Sequence, residues 1–198
     1  MSTSPYSAMQ LDALRELANI GSGTAGTALA QMLGRPVDIS IPAALALPLA
    51  DAVDAVGAAE TPVTAVLLPL QGDLDAVVLL VFPVRDAERI CVLLGVEPDS
   101  EIGRSALGEV GNILGSSYVG ALAALTGLAL EPEPPQTAGD MLGAIVASVL
   151  AARSQATDVA LILDSQLEVE GESCAISFLL LPAVGGVDDL LVRMGVET

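Results

Sequence analysis

Histidine is absent from this chain of 198 residues. Imidazole acid–base catalysis and the usual histidine-containing zinc sites are excluded with it. Lysine is absent too, so no glycine-rich loop ends in the lysine that holds nucleotide phosphates. Tryptophan is missing and aromatic residues make up only 2% of the sequence. A surface that stacks nucleic-acid bases on rings has no material here. Positive charge is scarce: 7 basic against 25 acidic residues leave a net charge of −18. That field repels phosphate backbones and anionic membranes. It also helps to keep a chain that is 53% hydrophobic in solution. The two cysteines, Cys91 and Cys174, stand far apart in apolar runs. They suit buried thiols in a reducing compartment better than a disulfide framework. No basic segment followed by an apolar one opens the chain, and runs such as "AVVLLVFPV" (Ala76–Val84) are too short to span a bilayer as helices. The expectation is a cytoplasmic protein with neither nucleic acid nor membrane as partner.

What is present is a strict order of helices and strands. A long helix is predicted from Ser7 to Leu33, closed by Gly34. "PVDISIP" (Pro36–Pro42) alternates as a short strand, and "LADAVDAVG" (Leu49–Gly57) reads as a short helix. "VTAVLLPL" and "LDAVVLLVF" flank "QGD" (Gln71–Asp73) as a hairpin, and "DAERICVLLG" (Asp86–Gly95) is helical again. The order then recurs. A helix from about Ser100 to Thr126 stops at Gly127, and a proline-broken segment, "LALEPEPPQ", follows. A second helix is predicted over Gly139–Arg153, a hairpin around "EGES" (Glu170–Ser173), and a closing helix in "GVDDLLVRMG". The pattern predicts an α+β fold with an antiparallel sheet. It also predicts one domain over residues 1–198, duplicated internally as repeats of about 7–95 and 99–196.

The two long helices share a constellation. Asp12, Glu16 and Asn19 fall on Ser105, Glu109 and Asn112 at a constant offset of 93 residues (105 − 12, 109 − 16, 112 − 19). Leu29, Gly34 and Pro42 fall on Leu122, Gly127 and Pro135 at the same offset. Residues at i, i+4 and i+7 of a helix lie within about 60° of one another. Asp12, Glu16 and Asn19 therefore share a face, continued by Gly23, opposite Leu14, Ala18, Ala25 and Leu29. Ser105, Glu109, Asn112 and Ser116 form the second such face. A polar stripe on an amphipathic helix is ordinarily a solvated surface. Asparagine, however, is a poor helix-interior residue that solubility alone does not select, and here it recurs in register. Small residues surround it: Gly21, Ser22 and Gly23 in one copy, Gly108, Gly111, Gly115 and Ser116 in the other. They suit the approach of another protein surface, or close packing of helices.

An outward Glu and Asn lack a nucleophile and a strong base. An Asn amide both donates and accepts, so it can hold and aim a water molecule. A Glu can pair with a partner's cation. Together they suit hydrolysis of a bond that is already reactive, such as an acyl phosphate on a partner's aspartate, where positioning supplies much of the rate.

Asp or Ser, three residues, Glu, two residues, Asn, then 22 residues and Pro is a pattern that resembles the CheC/CheX/FliY phosphatases of bacterial and archaeal chemotaxis. Both copies fit it: Asp12, Glu16, Asn19, Pro42, and Ser105, Glu109, Asn112, Pro135. The resemblance covers essentially the whole chain and implies a CheC-like fold whose two motif helices are related by a pseudo-twofold axis. It implies dephosphorylation of the phosphorylated response regulator CheY. Asn19 and Asn112 would direct water onto the aspartyl phosphate, and Glu16 and Glu109 would pair with a lysine of the regulator. Asp12 and Ser105 would lie at the periphery of the partner contact, and Pro42 and Pro135 would shape the backbone after a strand. No cofactor would be bound by this chain; Mg2+ would come with the regulator. Two complete sites and no appended switch domain resemble the CheC type, expected as a monomer. CheC proteins often bind the deamidase CheD, for which "AGDMLGAIVASVL", with Asp140, is the candidate segment. The alternative is a non-catalytic adaptor for a receiver domain or CheD, or a flagellar switch relative.

Overall fold

The protein is described here by a computed structural model covering residues 6–152 and 156–196. Two 26-residue helices, α1 (Ala8–Leu33) and α4 (Glu101–Thr126), dominate it. Each starts at a serine and stops at a glycine. The Ser7 hydroxyl accepts the Gln10 N–H while the Gln10 side chain accepts the Ser7 N–H, closing a capping box. Ser100 accepts the Gly103 N–H at 2.9 Å. Gly34 (φ 66°) and Gly127 (φ 71°) end the helices in the left-handed conformation that a side chain would strain.

After α1 come β1 (Asp38–Pro48), α2 (Leu49–Val56), β2 (Pro62–Gly72), β3 (Ala76–Pro83) and α3 (Val84–Leu93). After α4 come β4 (Leu130–Pro132), β5 (Gln136–Met141), α5 (Leu142–Ala151), β6 (Val159–Val169), β7 (Glu172–Pro182) and α6 (Gly186–Arg193). The antiparallel sheet runs β1-β6-β7-β3-β2, with β4 and β5 both on the far edge of β2. Each half of the chain thus lends the strand region after its long helix to the hairpin of the other: β1 joins β6, and β4 and β5 join β2. The hairpins meet at β3 and β7 in the middle.

Side-chain alternation assigns the two faces. Val78, Leu80, Leu161, Leu163, Phe178 and Leu180 point to α1, α3, α4 and α6. Leu79, Val81, Ala160, Ile162, Leu179 and Leu181 point to α2 and α5. Covering both faces is why the strands read as unbroken apolar runs rather than as alternation.

Three expectations need correction. The strand predicted to end at Pro42 continues to Pro48. Its register with β6 shifts between Ser40 and Ala43, so Pro42 lies inside a bulged edge strand, where a residue without an N–H is tolerated. At the matching place in the second half, residues 133–135 leave the regular ladder and split β4 from β5, although the Glu133 N–H still donates to the Pro69 carbonyl of β2 at 2.8 Å. The helix predicted from Gly139 begins only at Leu142. Gly139, Asp140 and Met141 belong to β5 and pair with Thr64, Val63 and Pro62, because the ladder to β2 outweighs local helix preference. Asp140 is therefore not a helix cap: Met141 occupies that position without a side-chain bond. Arg153, at the end of the predicted helix, lies outside the described residues.

Candidate functional site

Helices α1 and α4 pack against each other on the sheet. Gly21 of α1 lies against the ring and backbone of Tyr118 of α4. The Tyr118 hydroxyl is 3.1 Å from Ser165 on β6, and its ring centroid is 4.9 Å from that of Phe178. These contacts fix which faces the helices turn outward. Leu14, Leu17, Ala18, Ala25 and Leu29 are buried on α1, and Leu107, Val110, Leu114 and Leu122 on α4.

The opposite faces carry the motif residues. Asp12, Glu16 and Asn19 are exposed along α1, and Asp12 pairs with Arg15 at 2.6 Å. Ser105 and Glu109 are exposed along α4, while Asn112 is half-buried. The two asparagines are held differently. Ser116 donates to Asn112 Oδ1 at 3.3 Å, and so constrains the amide one turn below it. Gly23 occupies that register on α1 and supplies no such bond. Instead, Asn19 lines an open groove of about 750 Å³ between α1 and the start of β1, with Gly23, Gly26, Thr27 and Gln31. The motif does not mark Thr27 or Gln31. The signal for them was continuation of the polar stripe at four-residue steps beyond Gly23.

The glycines divide between the two roles the sequence left open. Gly21, Gly108, Gly111 and Gly115 are buried, and an added β-carbon would meet Tyr118, Thr137, Val66 and Leu68 respectively. Gly21 lets α1 approach α4, and the other three let α4 settle closely on β5 and β2. Gly23 is exposed with nothing within 4 Å of where a β-carbon would be, so it leaves the surface beside Asn19 open.

Asp140 sits apart from both pairs. It is exposed on the edge strand β5, its Oδ1 accepts the Met141 N–H at 2.7 Å, and it lines a groove of about 360 Å³ with Thr137, Ala144, Ile145 and Ser148. The cysteines stand away from the motif faces, in the core. Burial pushes the Cys91 thiol up, aided by Asp99 and Glu88. Burial and then Asp86 push that of Cys174 up to about 11. Among the described residues, no three His, Cys, Asp or Glu side chains converge as metal ligands, and no helix is long and apolar enough to cross a membrane.

Fold and site together define a class: an antiparallel sheet carrying two packed helices, each of which turns a Glu–Asn pair away from the core. Comparison with known proteins agrees with that class. The profile of the CheC-like family matches residues 9–45 and 102–138, the two segments that hold the motifs. CheY-P phosphatase CheC of Bacillus subtilis (strain 168) is 35% identical over 196 residues, spanning 94% of each chain. The chain belongs to the CheC-like family. Among solved structures, FliY of Thermotoga maritima superposes with a TM-score of 0.76 at 19% identity, covering 98% of both chains. CheX in the CheX–CheY–BeF3–Mg2+ complex of Borrelia burgdorferi gives 0.50 at 16% identity, covering 87% of this chain and 99% of that one. These two likenesses support the shared fold.

Proposed function

We propose that this protein hydrolyses the aspartyl phosphate of a phosphorylated response regulator of the CheY kind, at two sites. The observation that carries the reading is the outward Glu–Asn pair, present in register on both packed helices of a chain 35% identical to a CheY-P phosphatase. Asn19 and Asn112 each orient one water in line with the phosphorus–oxygen bond, the carboxamide oxygen accepting from the water. The water oxygen attacks phosphorus and the bond to the aspartyl oxygen breaks. The water's proton ends on the released phosphate, and the regulator's aspartate leaves as a carboxylate. No side chain of this protein has to take up the proton, which suits a site without histidine. Glu16 and Glu109 dock the regulator by pairing with a cation on it, and Asp12 and Ser105 lie at the rim of that contact. The metal that shields the phosphoryl charge belongs to the regulator.

The pairing of β1 with β6 and of β5 with β2 supports a single domain of two repeats, about 7–95 and 99–196; we infer that it acts as a monomer in the cytoplasm. The groove beside Asp140 on β5 and α5 is the candidate surface for CheD.

The test is decay of phosphorylated CheY with the wild type, Asn19→Ala, Asn112→Ala and the double variant. Wild type accelerates decay, each single variant keeps part of the acceleration, and the double variant returns decay to the regulator's own rate. A wild type that binds phosphorylated CheY without accelerating its decay is an adaptor, and the hydrolytic reading fails.

A further inference from the structure

Near its N-terminal end, each motif helix shows a large apolar side chain to solvent that its own fold does not use. On α1 it is Met9, 69% exposed; on α4 it is Ile102, 68% exposed. They occupy the same register, 93 residues apart (102 − 9). Each stands seven residues before the motif glutamate (16 − 9, 109 − 102), which places it about 20° from that glutamate in projection and about 10 Å along the axis. Neither contributes to a helix cap. The caps are made by Ser7 with Gln10 and by Ser100 with the Gly103 N–H. On the other side of the Glu–Asn pair comes Ile20, 39% exposed, and its counterpart Ile113, which is partly packed into the core. The glutamate on α1 therefore sits between two exposed apolar side chains, and the one on α4 has an exposed apolar neighbour on its N-terminal side.

We infer that Met9 and Ile102 are apolar anchors that hold the receiver domain of the response regulator on the motif helices. The inference rests on the reading under Proposed function, whose docking glutamates lie on the same stripe. Two observations favour a receiver domain over any other occupant. The apolar side chain is continuous with the Glu–Asn pair in both copies, so a surface engaging one glutamate covers its anchor as well. And a chain of net charge −18 gains no long-range attraction for a receiver domain whose phosphorylation site is itself acidic. Short-range burial of an apolar side chain beside one local ion pair is then the available source of affinity.

Binding of beryllofluoride-activated CheY, measured by titration calorimetry, tests this on the full chain. The Met9→Ser/Ile102→Ser double variant weakens binding about tenfold or more, and Met9→Leu/Ile102→Leu keeps wild-type affinity. Val92→Ser, which removes an equally exposed apolar side chain from α3 (68%), leaves the affinity unchanged. Steady-state decay of phosphorylated CheY shows the loss in KM with kcat retained. The inference is overturned by unchanged affinity in the double serine variant, or by an equal loss with Val92→Ser. It is also overturned if sedimentation shows a dimer that the serine substitutions dissolve while CheY affinity stays constant, since a second copy would then be the occupant. A wild type that does not bind activated CheY overturns it outright. Failure of the hydrolytic reading is distinguishable: binding would then depend on Met9 and Ile102 while decay went unaccelerated.

Discussion

At the scale of single residues, the two asparagines share a register but not an environment. Asn112 is half-buried and receives a hydrogen bond from Ser116, whereas Asn19 is exposed over a groove and beside Gly23. An amide already oriented loses less freedom when it takes up a water. Ser116→Ala in an Asn19→Ala background should therefore lower kcat for phosphorylated CheY several-fold, and Ser116→Thr should restore part of it. Stability should stay level or rise by about 0.5 kcal/mol, because Ala is the better helix residue at an exposed position. A stability loss matching the loss of activity would make Ser116 merely structural. The cysteines carry a different prediction. Cys174 is held at about 11 in the fold against 9.0 for an ordinary thiol, mainly by burial. A folded-state value above the unfolded one means the contribution to stability is whole below pH 9 and is lost as pH rises toward 11. Urea midpoints should fall across that window, and Cys174→Ala should make the fall shallower. The motif residues themselves were legible without coordinates, because their spacing and recurrence are properties of the chain. The Ser116 bond and the partial burial of Asn112 were not, because they depend on rotamers and on how deeply α4 settles on the sheet.

Among the elements, α1 and α4 show how glycine serves two ends in one motif. A β-carbon at Gly111 would come within 2.7 Å of the Val66 side chain, and one at Gly21 would run into the Tyr118 ring. Gly111→Ala and Gly21→Ala should each cost about 1–3 kcal/mol by overpacking, despite the gain in helix propensity. Gly23→Ala meets open space and should stabilise by about 0.5–1 kcal/mol. Chemical denaturation of the three variants checks the sign at each position. A stabilised Gly21→Ala would mean that the contact between α1 and α4 is looser than described. Helix ends were readable at this scale, since Ser7, Ser100, Gly34 and Gly127 act through local geometry. The ends of β1 and the place of Asp140 were not. Whether Gly139–Met141 continue a strand or begin a helix is decided by Pro62–Thr64 across the ladder, far away in sequence.

For the whole molecule, charge is the governing quantity. A net charge of −18 on 198 residues makes self-repulsion a cost of the compact state. Raising NaCl from about 0.05 to 0.5 M shortens the screening length several-fold and should raise the unfolding midpoint. The affinity for activated CheY should change little over the same range, because two acidic partners have no long-range attraction to lose. A steep loss of affinity with salt would show instead that the docking surface depends on extended charge pairing. The sequence by itself determined the two long helices with their caps, the hairpins, the recurring Glu–Asn spacing and the acidity, because each depends on neighbours within a few residues or on composition alone. Tertiary structure decided the rest. The exchange of strands between the halves, the bulge at Pro42 set against the break at 133–135, and the sorting of glycines into packed and open ones arise only when distant segments meet. Pairing register and close packing are relations between residues remote in the chain, and one stretch of sequence carries only its own side of each.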